Sequence, residues 1–217
     1  MKSARAERVG RPRNPAIDAA AIDATLAALS ARGYTHFTLE DVGRRAGTTK
    51  PAIRRRWPSR QELVLAALGS RLGALRPPDT GCTLCDLDEC LKLFVAAFRR
   101  MPPDVLGPLF ADCAGDVQLR SRFMATLFDP PRLAVEQTLD GAQARGDLRE
   151  DVDRQVVLDL IGSFVHYRVL FGHARIDARE IERVVVTLLR GIATDFERLL
   201  EHSSEVGGAS AMHRLHA

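Results

Sequence analysis

The chain has 217 residues, with 31 Lys and Arg against 28 Asp and Glu, 46% hydrophobic residues and 6% aromatics. That composition is too apolar for a disordered chain and too evenly charged for a membrane protein, and the length allows a small domain joined to a larger one. The net charge of +3 hides an asymmetry: residues 1–60 carry 13 basic and 5 acidic side chains, a net +8, and the remainder carries 18 and 23, a net −5. A basic head on an acidic body points to a polyanion partner for the head alone.

In chain order, Met1 to Arg13 is basic without an apolar core, so no secretory signal is expected and the protein is expected in the cytoplasm. Helical periodicity dominates, and polar/apolar alternation with hairpin signals is missing, which predicts an all-α fold of about nine to ten helices. The first helix is expected over Pro15–Arg32, stopped by Gly33, with Ile22, Leu26 and Leu29 on its buried face. Thr38 reads as the N-cap of a short helix over Leu39–Arg45, and Ala46-Gly47 breaks it. Thr48 or Thr49 caps a second short helix that accepts Pro51 in its first turn and is expected to run to Trp57. Ser59 and Glu62 then form a capping box that opens a long helix from Arg60 to about Leu75.

Arg76 to Gly81 is the clearest linker. Beyond it, helices are expected over Asp86–Arg100, Pro103–Ala114, Val117–Phe128, Pro131–Arg145, Arg154–Gly172 and Ala178–Glu201, with Asp129-Pro130-Pro131 as an interruption and the tail from His202 disordered. The domain plan is therefore an arm over 1–14, a helix-turn-helix domain over 15–58, a helical body over 59–201 and a tail over 202–217. No stretch of the chain is apolar for the roughly 18 residues a bilayer requires. The common nucleotide-binding, hydrolase and zinc-protease motifs are absent, so neither an enzyme nor a cofactor is expected. Cys82-x-x-Cys85 with Cys90 lacks the further ligands of a structural zinc site, so no metal is expected and free thiols are the default in a reducing compartment.

The spacing from Leu39 to Pro58 fits a helix-turn-helix. Gly43 allows a close helix crossing, Gly47 makes the turn, and Ile53 points to the core. The second short helix then projects Thr48, Thr49, Lys50, Arg54, Arg55 and Arg56, and a helix of about 10–12 Å diameter fits a major groove about 12 Å wide. Ahead of it, Gly10-Arg11-Pro12-Arg13 is either a minor-groove arm of the AT-hook kind or a basic tail giving only nonspecific phosphate attraction.

The run from Phe37-Thr38-Leu39 through Ala46-Gly47-Thr48-Thr49-Lys50-Pro51-Ala52-Ile53 to Trp57-Pro58-Ser59-Arg60-Gln61-Glu62-Leu63 resembles the TetR family of transcriptional regulators. The resemblance implies phosphate contacts at Thr38 and Arg60 and a groove-facing set of Thr48, Thr49, Lys50 and Ala52. Arg54, Arg55, Arg56 and Trp57 complete the candidate DNA-binding set with Arg11 and Arg13. Ala52 and Arg54 depart from the family's usual Thr and Tyr, so the operator cannot be inherited from relatives.

The same resemblance implies a homodimer on a palindromic, double-stranded operator, released by a small-molecule effector, most simply as a repressor. The candidate dimer interface comprises Leu160, Phe164, Ile181, Val184, Val185, Leu188, Leu189, Ile192 and Phe196. The candidate effector pocket comprises Phe94, Phe98, Met101, Phe110, Cys113, Phe123, Met124, Leu127, Phe164, Tyr167, Arg168 and Phe171, with His166 and Arg122 as further polar groups. Alternative readings are a DNA-binding architectural dimer without effector, or an all-α enzyme or carrier that retains a DNA-binding head.

Overall fold

A computed structural model describes residues 15–73, 75–101 and 103–206; the arm with Arg11 and Arg13 lies outside them. The described chain is helical, with one isolated bridge between Leu148 and Ala193 and no strand. Helix α1 (Pro15–Arg32) begins on a proline, carries Asp18 in its first turn and ends at Gly33, whose φ of 67° only glycine adopts without strain. Its buried face is finer-grained than the periodicity suggests. Ala21, Ala24, Thr25, Ala28 and Leu29 are buried, whereas Ile22 and Leu26 are only half-buried. Small side chains let α1 lie close against α2 (Leu39–Arg45) and α4 (Arg60–Leu72).

Helix α3 (Lys50–Arg54) is shorter than the expected run to Trp57. Arg55 and Arg56 close a turn through N–H bonds to the Pro51 and Ile53 carbonyls, at 3.2 and 2.9 Å. Pro58 explains the early stop, because a proline disfavours helical geometry just before it. The capping box that opens α4 is formed in full: the Glu62 amide donates to Ser59 Oγ at 3.1 Å, and the Ser59 amide donates to the Glu62 carboxylate at 3.3 Å. Gly73, at φ 66°, ends α4 before the predicted Leu75.

The body contains α5 (Thr83–Arg99), α6 (Pro103–Ala114), α7 (Val117–Phe123), α8 (Asp129–Ala144), α9 (Arg154–Phe171), α10 (Ala178–Ile192) and α11 (Phe196–Val206). Helix α5 is its centre and packs against α8, α9, α10 and α11. It starts three residues before the expected Asp86, because Cys82 serves as its N-cap.

Two expected boundaries are corrected. Asp129-Pro130-Pro131 does not interrupt the chain: α7 continues through a π-helical turn, Met124–Phe128, directly into α8, and the Asp129 amide reaches back five residues to the Met124 carbonyl. The wider turn accommodates prolines that lack an N–H and would crowd an α-helical carbonyl. The expected single helix over Ala178–Glu201 is two helices. Ala193 turns extended, Thr194 donates to the Asp147 carbonyl at 2.9 Å, and Asp195 caps α11 through the Arg198 amide at 3.1 Å. Helix α11 runs on to Val206, so residues 202–206 are helical and not a disordered tail; 207–217 lie outside the described residues.

The default of free thiols is also corrected. Cys82 and Cys85 form a disulfide with Cα atoms 5.3 Å apart, because an N-cap and the third residue of the helix face each other across the first turn. Cys90 and Cys113 remain free and buried.

Candidate nucleic-acid interface

Three helices cooperate to present α3. Val42 and Ile53 are fully buried, and Tyr34, Phe37 and Leu39 close the core beneath them. A Cβ on Gly43 would meet the Thr48 carbonyl at 3.1 Å and the Lys50 amide at 3.4 Å, so the crossing of α2 and α3 has no room for a side chain. Gly47, at φ 62°, makes the turn, and the Thr48 amide donates back to the Gly43 carbonyl at 2.8 Å. Thr38 and Thr49 cap the two helices by accepting from the Asp41 and Ala52 amides, at 3.2 and 3.3 Å. Each capping hydroxyl keeps its own O–H to donate to a phosphate.

The basic residues of the head divide into two sets. Arg44 and Arg45 both bind Asp41, Lys50 binds Glu40, and Arg56 binds Asp18 on α1. The hydrogen bonds from Arg45 and Arg44 hold the Asp41 carboxyl below its usual range, and that from Lys50 does the same for Glu40. Arg54 and Arg55 are exposed and, among the described residues, have no carboxylate at ion-pair distance.

The structure corrects two further expectations of the DNA-binding set. Arg56 turns inward: besides Asp18 it holds the Ala52 carbonyl at 3.1 Å, and Trp57 is half-buried against the core. Arg60 is not free at the head of α4. Its guanidinium lies 4.5 Å over the Tyr34 ring and donates to Asp112 of α6 at 2.6 Å, while the Tyr34 hydroxyl donates to the same carboxylate oxygen at 2.9 Å. Burial, reinforced by that bond, pushes the Tyr34 phenol up, and the Arg60 hydrogen bond pulls the Asp112 carboxyl down. Glu62 pairs with Arg122 of α7, so the first turn of α4 is tied to the body at two points. Nothing in the sequence links positions 34, 60 and 112; only folding brings them together.

In the body, Phe94, Phe98, Met101, Cys113, Phe123 and Leu127 are buried, as an interior chamber would require. Met124, Tyr167 and Phe171 are exposed by 40% or more, which corrects their assignment to an enclosed pocket, and Phe110, 46% exposed, reaches that interior only through its ring contact with Phe123 at 5.4 Å. Phe164 is half-buried under Arg168, whose charge sits 4.6 Å over its ring and binds Glu180 of α10 at 2.7 Å. His166 enters the aromatic cluster instead. Its ring lies 4.2, 4.6 and 5.5 Å from Phe128, Phe98 and Phe94, and its Nε2 is buried without a hydrogen-bond partner among the described residues. Burial pulls the His166 imidazole down to about 4 and keeps it neutral at pH 7.

The expected dimer stripe is split as well. Ile181, Val185, Leu189 and Ile192 are buried within the protomer, where α10 packs on α5, and so do not form a surface. Phe196 belongs to α11 and lies half-buried under Arg190. Val184 and Leu188 are half-buried and border an open cleft with the exposed Leu160. Val156 and Leu170 are exposed on α9 with Leu160, Tyr167 and Phe171, and of these five Leu170 is the one the sequence reading missed.

A helix-turn-helix head joined to a helical body defines the class, a DNA-binding transcriptional regulator. Family models agree. The model for bacterial regulatory proteins of the tetR family matches residues 21–67, and that for the tetracyclin repressor-like C-terminal domain matches 77–188. A DNA-binding transcriptional repressor TetR of Mycobacteroides abscessus is 28% identical over 177 residues, which cover 79% of this chain and 93% of that protein. The HTH-type transcriptional regulator AqdR of Rhodococcus erythropolis is 29% identical over 154 residues, covering 68% and 72%. The crystal structure of the TetR family transcription regulator SCO0332 superposes with a TM-score of 0.63 at 28% identity over 81% of this chain and 97% of that one. The chain belongs to the TetR family of regulators, which are not enzymes.

Proposed function

We propose that two copies of the chain bind an inverted-repeat operator, repress transcription there, and leave it when a small molecule occupies the body. The observation that carries this reading is the exposed face of α3 and its cap: Thr49, Arg54 and Arg55 are exposed, with Thr48 half-buried beside them, on a head whose other nearby cations are bonded to carboxylates. Hydroxyls and guanidinium groups are suited to base edges and phosphates. A two-fold dimer would seat two such helices about 34 Å apart, one turn of DNA.

The apolar side chains Val156, Leu160, Tyr167 and Phe171 follow one another along α9 at spacings of four, seven and four, a helical face suited to a second copy. The relative from Mycobacteroides abscessus is named a repressor, which favours that sign of regulation. The neutral His166 among aromatic rings favours an effector-binding body over a purely architectural one, since a buried polar atom without a partner is costly unless something satisfies it.

Selection from random duplex DNA tests the core reading: enrichment of an inverted repeat supports it, and enrichment of no such sequence overturns it. Leu160→Glu should convert the dimer to a monomer in sedimentation and lower operator affinity. A small-molecule panel that fails to release the operator at any concentration would favour the architectural alternative.

A further inference from the structure

The Cys82–Cys85 pair lies outside the residues assigned above to DNA, dimer and effector contacts, yet it occupies a chemically distinctive place. Cys82 is the N-cap of the 17-residue α5, and its sulfur accepts the Cys85 amide at 3.3 Å. A sulfur at that position feels the unpaired amides and the positive end of the helix dipole, both of which stabilise a thiolate. The two sulfurs differ in access. Cys82 is 1% exposed, whereas Cys85 is half-buried, with its sulfur 3.5 Å from the Ser203 hydroxyl of α11.

Close by, an open polar cleft of about 420 Å³ is lined by Gly81, the residue before Cys82, and by His202, the residue before Ser203. Arg145 and Arg198 stand in that cleft beside Asp147 and Glu205, a mixture of charges suited to a zwitterionic molecule.

We propose that Cys82 and Cys85 are a reversible redox site that exchanges with small zwitterionic thiols and their disulfides. On reduction, the incoming thiolate attacks Cys85 Sγ, the sulfur of the less buried residue. The Cys82–Cys85 bond breaks and Cys82 leaves as a thiolate held by the Cys85 amide. A second thiol then displaces the first from Cys85, so two small thiols become one small disulfide and the protein gains a dithiol. Oxidation is the reverse, with the small disulfide as the oxidant. A stabilised leaving thiolate speeds such exchange, which sets this site apart from a structural disulfide buried on both sulfurs.

The test uses the full chain equilibrated in mixtures of reduced and oxidised glutathione, quenched in acid, unfolded, alkylated and mapped by mass spectrometry. Alkylation should move from four cysteines in reducing mixtures to Cys90 and Cys113 alone in oxidising ones, with the native fold retained throughout. Early time points should place the mixed disulfide on Cys85. In single variants, Cys82→Ser should accumulate that adduct, and Cys85→Ser should form one about tenfold more slowly or less, because its remaining thiol is buried. A pair that stays oxidised under excess thiol until the protein unfolds would overturn the proposal. So would a pair that stays reduced under excess disulfide, or an adduct found first on Cys82.

Discussion

The head and the body solve opposite problems with the same secondary structure. The head has a thin core of Ala21, Ala24, Ala28, Val42 and Ile53, and its working groups are those left outside it. Pairs such as Arg56 with Asp18 and Lys50 with Glu40 quiet most of its cations, so that Arg54 and Arg55 stand out by contrast. The body has a thick aromatic core of Phe94, Phe98 and Phe123, against which the half-buried Phe128 packs, and its distinctive group is His166, whose Nε2 is buried among these rings. A charged surface is therefore tuned by pairing and a buried one by desolvation, and the two regions should answer differently to substitution, pH and salt.

The largest effect should come from the thick core. Phe98→Ala leaves a cavity at a fully buried site and should cost about 3–5 kcal/mol, read as a lower denaturation midpoint. A destabilisation below about 1 kcal/mol would mean that the body is packed more loosely than its burial indicates.

The pH response should also belong to the body. Because the folded His166 imidazole lies near 4 and an unfolded one near 6.5, the unfolded chain binds the extra proton between those values. Stability should be full above about pH 6.5, decline as pH falls towards 4, and lose on the order of 3 kcal/mol below that. His166→Gln should remove this part of the acid sensitivity in urea titrations at stepped pH.

Next come the points where the head is tight. Gly43→Ala forces a methyl against the Thr48 carbonyl and should cost about 1–3 kcal/mol and more in operator affinity than in stability. Tyr34→Phe removes the bond to Asp112 across the junction of head and body and should cost about 0.5–1.5 kcal/mol by thermal denaturation. The smallest stability effect belongs to the exposed cation. Arg55→Ala should leave the midpoint unchanged within about 0.5 kcal/mol yet reduce the salt slope of operator binding by about one. An unchanged salt slope would take Arg55 out of the interface.

Local chemistry was legible wherever one residue type decides the outcome. The caps at Thr38 and Ser59, the stop at Gly33 and the glycine crossing at Gly43 all stand where their side chains, or the lack of one, predict, and of Thr48 and Thr49 the second is the cap. Less legible were features that depend on a partner distant in sequence. The apolar stripe of α10 reads equally well as interface or core, and only its packing on α5 makes Ile181, Val185 and Leu189 interior. The prolines after Phe128 read as a break because a π turn has no residue signature of its own. The Thr194-Asp195 cap that divides α10 from α11 was a signal present and overlooked.

By itself, the sequence determined the helical class, the helix-turn-helix and the exposed Thr49, Arg54 and Arg55, because these follow from spacing, caps and charge within a few turns of chain, and the resemblance of residues 37–63 added the family. Tertiary structure alone decided which cations remain available, since Arg56 and Arg60 meet Asp18 and Asp112 only after α1 and α6 have packed beside them. It also decided that His166 is neutral among phenylalanines and that Cys82 and Cys85 bond across a helix cap. Desolvation and approach distance belong to the packed chain, and no local pattern of residues specifies them.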